Sequence, residues 1–289
     1  MNSFFDGQYM PLSDVRVSPL DFGFIHSHAT YDVMRNLTFF DLHYDRFSTS
    51  CKFYGFTPPA KDDLLEIINN LLDEDDMFIW LVMWKGTPPS GSPRDLTGPD
   101  HFLVYTKPHY PISDKPVSLT IVDTLPRSPG YQEYKNFSWI ELTHAQQNSG
   151  EFDTAIIRNK DGFINEGPGF GICFVKKLDR GWSVWTPKTD VLPSVTVDVV
   201  EEMCNKRFIE FIRADFKTVD FDECFICSTS GGITPVSRID DTKYESTLTK
   251  QLRKEYDNLC RHGRSGNRLR GLDPIAFAKS IGRRLAIHR

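Results

Sequence analysis

The chain of 289 residues has no long hydrophobic run. Its longest apolar stretch, residues 77–84, is far short of the roughly 20 residues a membrane-spanning helix needs. It has no internal repeat and no low-complexity segment. The start, Met1-Asn2-Ser3-Phe4-Phe5-Asp6, lacks a basic segment followed by an apolar one. No secretory signal is read there, and a cytoplasmic location is expected. Positive charge is not in excess either. Net charge is −5, which argues against general affinity for nucleic acid. The balance is uneven, because residues 261–289 carry eight Lys/Arg against one acid, Asp273, leaving about −12 on the rest. That basic tail suits an anionic surface or, more simply, a solvated or subunit-packing helix. The six cysteines are scattered in a pattern that reads as reduced thiols. Cys224-Phe225-Ile226-Cys227 has metal-type spacing, but no second pair lies near to complete a tetrahedral set, and its setting reads as a buried strand.

Apolar residues make up 39% of the chain, enough for one large or two medium domains with a proper core. Residues 4–9 predict a hairpin turning on Asp6-Gly7. Strands are predicted near residues 30–36, 39–42, 78–85 and 101–107, and helices over 46–54 and 61–72. Residues 86–100 are rich in Pro, Gly and Ser and read as a mobile loop. Residues 107–116 hold three prolines and read as a linker. The second half alternates helix (137–149), strands (153–158, 171–176, 182–186), helix (195–213) and strand (223–228), and the chain ends in helical segments. The layout is a mixed α+β arrangement of a small domain (1–108), a linker (109–118) and a large domain (119–289), with a cleft between the halves where a small-molecule site is expected.

Four local patterns carry chemistry. Glu166 sits in Asn165-Glu166-Gly167-Pro168-Gly169-Phe170-Gly171, a glycine-flanked bend before an apolar strand. The glycines let the backbone turn and a flat ligand approach closely. Lys135 lies 31 residues earlier and is placed at the start of a helical segment, after the Arg127-Ser128-Pro129-Gly130 turn. A lysine that attacks an aldehyde must be unprotonated, which desolvation favours; alone, however, a lysine reads as a surface charge. Leu192-Pro193-Ser194-Val195-Thr196 opens a helix, and the free N–H groups of a helix start form either an anion site or an ordinary N-cap. Ser228-Thr229-Ser230-Gly231-Gly232 follows a strand end and makes either an anion nest or a plain Gly-Gly turn.

In order and spacing these patterns resemble the fold-type IV family of pyridoxal phosphate enzymes. That family includes branched-chain and D-amino-acid aminotransferases, (R)-selective amine transaminases and aminodeoxychorismate lyase. The resemblance covers roughly residues 3–240. It implies a two-domain α+β fold with pyridoxal 5'-phosphate in the interdomain cleft, and a homodimer in which the second subunit completes each pocket. It implies that Lys135 forms the Schiff base with the cofactor and later shuttles a proton. Glu166 would hold the pyridine nitrogen, which keeps the ring an electron sink. Val195 and Thr196 would bind the phosphate, Leu192 would pack on the ring, and Arg46, in His43-Tyr44-Asp45-Arg46, would fork the phosphate. Thr229 would contact the phosphate, and Thr229 and Ser230 a substrate carboxylate. The pattern departs from the family at Asn165, Pro168 and Gly171, and Ser194 replaces a glycine.

The substrate side draws on residues 22–33. The His26-Ser27-x-x-Thr30-Tyr31-Asp32-Val33 pattern is similar to that of (R)-selective amine transaminases and implies His26 and Tyr31 in the substrate pocket. Arg35 instead resembles the branched-chain members, and Arg94, in the 86–100 loop, reads either as a carboxylate clamp or as a solvated arginine. No metal is expected at His26 and His28, for want of a third ligand. The resulting expectation is ping-pong transfer of an amino group from an (R)-amine or D-amino acid to a 2-keto acid. An L-branched-chain aminotransferase, a lyase releasing pyruvate from aminodeoxychorismate, and a cofactor-binding protein without turnover are the alternatives.

Overall fold

The computed structural model describes residues 2–72, 76–110, 113–123 and 130–262. Most of the turn expected before Lys135, part of the proline-rich linker and nearly all of the basic tail lie outside the described residues. The chain order is β1 (Asn2–Phe5), β2 (Gln8–Pro11), α1 (Phe22–Ile25), β3 (Ala29–Arg35), α2 (Phe40–Phe53), α3 (Lys61–Leu71), β4 (Met77–Lys85), β5 (Asp100–Pro108) and β6 (Val117–Asp123). It continues with α4 (Ile140–Gln147), β7 (Thr154–Arg158), β8 (Gly171–Leu178), β9 (Gly181–Thr186), α5 (Val195–Lys206), β10 (Glu210–Arg213), β11 (Glu223–Ser228), β12 (Gly232–Ile239), β13 (Thr242–Lys243) and α6 (Thr247–His262).

Among the described residues the first sheet has the order β2-β1-β5-β4-β3, with every pairing antiparallel. Its two faces have separate jobs. Along β4, Ile79, Leu81 and Met83 meet Phe47, Cys51, Leu64 and Ile68 of α2 and α3 in one core. The alternate residues Val82 and Trp84 join Ala29 and Tyr31 on the opposite face, with Trp80 packed beside them. The same alternation runs along β3, where Asp32 and Met34 meet α2 while Tyr31 and Val33 line the large cleft. The second sheet follows β10-β9-β8-β11-β12-β6-β7, with β13 beside β12. Cys173, Cys227 and Ile233 of this sheet bury α5 and α6 on one side. Cys224 and Cys227 lie in β11, fully buried, as free thiols.

Three predicted elements differ, and strand β12 was not predicted. Residues 39–42 are not a strand: Phe39 takes φ 55° and α2 starts at Phe40. Phe40, His43, Phe47, Ser50 and Cys51 are buried at helical spacing, which carries the helix back past Arg46. The predicted 195–213 helix stops at Lys206, because Phe208 takes φ 55° and sends residues 210–213 into β10 beside β9. Helix α4 starts at Ile140, so Lys135 lies in an irregular stretch before it. There the Asn136 side chain accepts the Ser138 N–H (2.8 Å), a local bond that competes with helix. Finally, β12 holds Pro235 inside a strand, a residue that argues against strand in sequence. The structure accommodates it because pairing to β6 begins only at Val236.

Candidate active site

A cleft of about 820 Å³ is lined from both sheets and from the stretch between them. Lys135, Glu166, Arg46, Leu192, Val195, Thr229, Ser230, His26 and Tyr31 all line it. Residues separated by up to 204 positions in sequence thus share one cavity.

Lys135 is held by its backbone. Its N–H donates to Ser50 Oγ (3.1 Å) and its carbonyl accepts from Thr30 Oγ1 (2.6 Å). Its Nζ lies 4.5 Å from the centre of the Tyr31 ring. Burial, reinforced by the Arg46 charge, pushes Lys135 down to about 8, against the opposing pull of Asp32 and Glu166. At pH 7 roughly a tenth of the chains then carry a neutral amine, about 300 times the fraction of an ordinary lysine.

Arg46 is fixed by a partner that the motif reading did not assign. Its Nε donates to Asp32 Oδ2 (2.7 Å) and its Nη2 to Asp32 Oδ1 (2.8 Å). His43 Nδ1 stands 2.8 Å from Asp32 Oδ1. Asp32 is 0% exposed. Burial alone would raise its pKa, but Arg46 and His43 hold it well below the usual carboxylate range. The remaining arm of Arg46 donates Nη1 to the Pro193 carbonyl (3.1 Å), tying α2 to the start of α5.

That start is an open helix end. Ser194 Oγ takes the Val197 N–H (3.4 Å) and its carbonyl takes the Asp198 N–H (2.9 Å), while the N–H groups of Val195 and Thr196 belong to the unpaired first turn. Thr196 is buried at this turn, hydrogen-bonded through its side chain to Tyr256, and is not itself a lining residue. Glu166, 8% exposed, accepts the Leu192 N–H through Oε2 (3.2 Å). Its bend is a tight Gly167-Pro168-Gly169-Phe170 turn, with Gly169 at φ 82°. Gly167 has no room for a side chain: an added Cβ would meet the Ala155 carbonyl at 2.5 Å and Phe170 at 2.0 Å. Across the cleft, Ser228 Oγ accepts the Gly231 N–H (2.9 Å) and shapes the 228–232 turn. His109, from the proline-rich stretch, donates Nε2 to the Ser230 carbonyl (3.0 Å), and its Nδ1 lies 3.6 Å from Asp76.

Two residues proposed for the substrate lie elsewhere. Arg35 shares strand parity with Tyr31, but its fork is bound to Asp76 (2.7 and 2.6 Å), so it leaves the cleft wall. Arg94 is exposed on its loop and does not line the cleft. Asp95 draws that loop together by accepting from Ser90 and Thr97, and its carboxyl is held well below the usual range by those bonds. Gln132, three residues before Lys135, lines the cleft; like Asp32, His43 and His109, which lie behind the cleft wall, it went unassigned by motif. The signal for Asp32 was its strand parity opposite Tyr31, facing α2. Among the described residues no cluster of His, Cys, Asp and Glu is placed to hold a metal ion, and no helix is long and apolar enough to cross a membrane.

In chemical terms the cleft joins an amine of lowered pKa, a buried carboxylate and an open helix N-terminus. A putative branched-chain-amino-acid aminotransferase of Methanocaldococcus jannaschii is 26% identical over 285 residues, covering 90% of this chain and 96% of that protein. A D-alanine aminotransferase of Staphylococcus epidermidis is 22% identical, over 88% and 96% respectively. The solved branched-chain aminotransferase of Thermobaculum terrenum in its PLP form superposes with a TM-score of 0.76 at 19% identity, covering 91% of this chain and 94% of that one. The amino-transferase class IV model matches residues 31–239, so this chain belongs to the class IV aminotransferases, a family of fold-type IV enzymes that use pyridoxal phosphate.

Proposed function

We propose that the protein moves an amino group from an (R)-amine or D-amino acid to a 2-keto acid by a ping-pong reaction, with Lys135 as its catalytic residue. The observation that carries the donor class is the cleft wall itself: His26 and Tyr31 line it, whereas Arg35, the residue favouring branched-chain substrates, is bound to Asp76 outside it.

The donor set fits the cofactor. The open N–H groups of Val195 and Thr196 and the guanidinium of Arg46 suit a phosphate, with Thr229 on the same cleft. Glu166, buried and steadied by the Leu192 N–H, suits a protonated ring nitrogen. When bound, pyridoxal phosphate supplies an aldehyde that exchanges amines and a ring that draws electrons from the donor carbon. Lys135 is the base: its neutral Nζ removes the proton from the donor's reacting carbon and holds it for return. Asp32 keeps Arg46 in place without titrating at neutral pH. The 228–232 turn, steadied by His109, offers hydroxyls and N–H groups to a carboxylate. The Tyr31 ring, 4.5 Å from Nζ, covers one side of the amine.

This reading includes a homodimer and two domains meeting at the cleft. The exposed Leu20, Phe24 and Ile25 beside His26 offer an apolar face to a second copy, and light scattering of the purified protein tests it. The second reading, an L-branched-chain aminotransferase, is favoured by the name of the Methanocaldococcus relative. The deciding experiment measures keto product from (R)-1-phenylethylamine, D-alanine and L-leucine, each with pyruvate or 2-oxoglutarate. Turnover of the first two supports the proposal. Turnover of L-leucine alone replaces it with the second reading. Pyruvate released from aminodeoxychorismate with no acceptor identifies a lyase.

A further inference from the structure

Ser194 stands where the family carries glycine, and the proposed function leaves it without a task. It lines the cleft and is half-buried, so it is open to a ligand. Three neighbours fix where its side chain lies. Its Oγ is 3.4 Å from the Val197 nitrogen, at the mouth of α5. An added Cβ on Gly171, itself a lining residue, would meet Ser194 Cβ at 3.4 Å and Oγ at 3.6 Å. The adjacent Pro193 carbonyl takes Arg46 Nη1 (3.1 Å), which brings the guanidinium beside the same turn. The hydroxyl therefore sits among the open helix end, the end of the Glu166 bend and Arg46. Toward Val197 it acts as an N-cap, and in that bond it only accepts. Its own proton is left to donate. Thr196, the hydroxyl expected at this turn, is 2% exposed, is bonded through its side chain to Tyr256 and does not line the cleft.

We infer that Ser194 is a phosphate-binding residue, whose Oγ–H donates to the phosphate of the cofactor while Oγ goes on accepting the Val197 N–H. It supplies the hydroxyl that the turned-away Thr196 side chain does not, beside the first-turn N–H groups and Arg46. The inference rests on the reading that the phosphate sits at the start of α5.

The test titrates the cofactor-free protein with pyridoxal 5'-phosphate and with pyridoxal, which has the same aldehyde and no phosphate, and reads binding from visible absorbance. Ser194→Ala removes both cap and donor. It is expected to weaken pyridoxal 5'-phosphate about 10-fold, as loss of a hydrogen bond to a charged group does, and to leave pyridoxal within about twofold. Ser194→Asp keeps the cap, because aspartate caps a helix as well as serine, but it loses the donor and sets a negative charge at the phosphate. Its melting temperature without cofactor should match that of the native protein, while its affinity for pyridoxal 5'-phosphate falls further than that of Ser194→Ala. A residue that only caps the helix gives the opposite order, with Ser194→Asp binding like the native protein and Ser194→Ala losing both ligands equally. Either of those results overturns the inference. If Ser194→Ala does not fold, Ser194→Asp decides alone. Arg46→Lys separates the two readings. A phosphate-dependent loss in Arg46→Lys with none in the Ser194 variants overturns the role of Ser194 alone. No such loss in any variant takes the phosphate away from the start of α5, and that reading falls together with the inference.

Discussion

Asp32 is where the site is most exposed to a single change. Replacing it with Asn removes one charge, keeps the shape, and leaves Arg46 buried with half of its fork unmatched. Asp32 is 0% exposed and the Arg46 side chain 11%, so little solvent screens the pair. Removing one partner of such a pair costs about 3–5 kcal/mol, because the survivor is a charge without a counter-charge. For a chain of this size that corresponds to a fall of roughly 5–15 °C in the melting temperature of the cofactor-free protein. The Arg46→Met variant should lose a comparable amount, since it strands Asp32. The double variant strands neither, so it should lose distinctly less than the two single losses added together. Additive losses across that cycle, or a single-variant loss under 1 kcal/mol, would refute the reasoning. The pH dependence gives an independent check. The folded pKa of Asp32 lies below its unfolded value, so its contribution is fully present above the ordinary carboxylate range and is lost only as pH falls through the folded value. The gap between native and Asp32→Asn protein should therefore persist at neutral pH and close in strong acid.

Lys135 gives a second pH signature. With its pKa pushed down to about 8, the rate at which the cofactor-free protein condenses with added pyridoxal phosphate should rise about tenfold per pH unit below that value and level off above it; a limb near 10 would remove the argument for a desolvated amine. Because the unfolded chain binds more protons than the folded one between about 8 and 10.5, stability should rise with pH over that window, and in Lys135→Met this rise should flatten, as urea unfolding at pH 8 and 10 would show. Gly167→Ala forces the Glu166 turn away from the Ala155 carbonyl, so it should cost about 1–3 kcal/mol and weaken cofactor retention, read from visible absorbance. His109→Ala should raise the KM for the keto acid several-fold with less effect on kcat, and His109→Gln, which keeps a donor toward Ser230, should recover most of it; equal effects of both variants would mean the bond to Ser230 does not matter.

The parts of the site that were legible in sequence are those whose chemistry is written locally. The Glu166 bend, the 192–196 helix start and the 228–232 turn are each a short run of residues that needs particular backbone shapes, so residue type and position suffice. Lys135 was legible only by its distance from that bend. The opposite holds for what keeps these groups in place. Asp32 reads as one polar residue in a strand; parity turns it away from Tyr31, but nothing in sequence names Arg46 and His43 as the groups it meets. Arg35 shows the converse failure. Strand parity carries it to the cleft face with Tyr31, yet its side chain is long enough to reach Asp76, and parity constrains only the Cβ. His109 was hidden in a proline-rich stretch that reads as a spacer. Lys135 is pinned by Thr30 and Arg46 by Pro193, across 105 and 147 residues of chain. Such pins leave no periodicity, because each is a single contact between elements that pack for other reasons. The pKa of Lys135 belongs with these pins: it depends on how deeply Thr30 and Ser50 draw the backbone against β3 and α2 and on how near Asp32 holds Arg46. A motif can therefore nominate Lys135, but its reactivity is set by residues that no motif contains, and disturbing Asp32 should alter the chemistry of Lys135 without touching it.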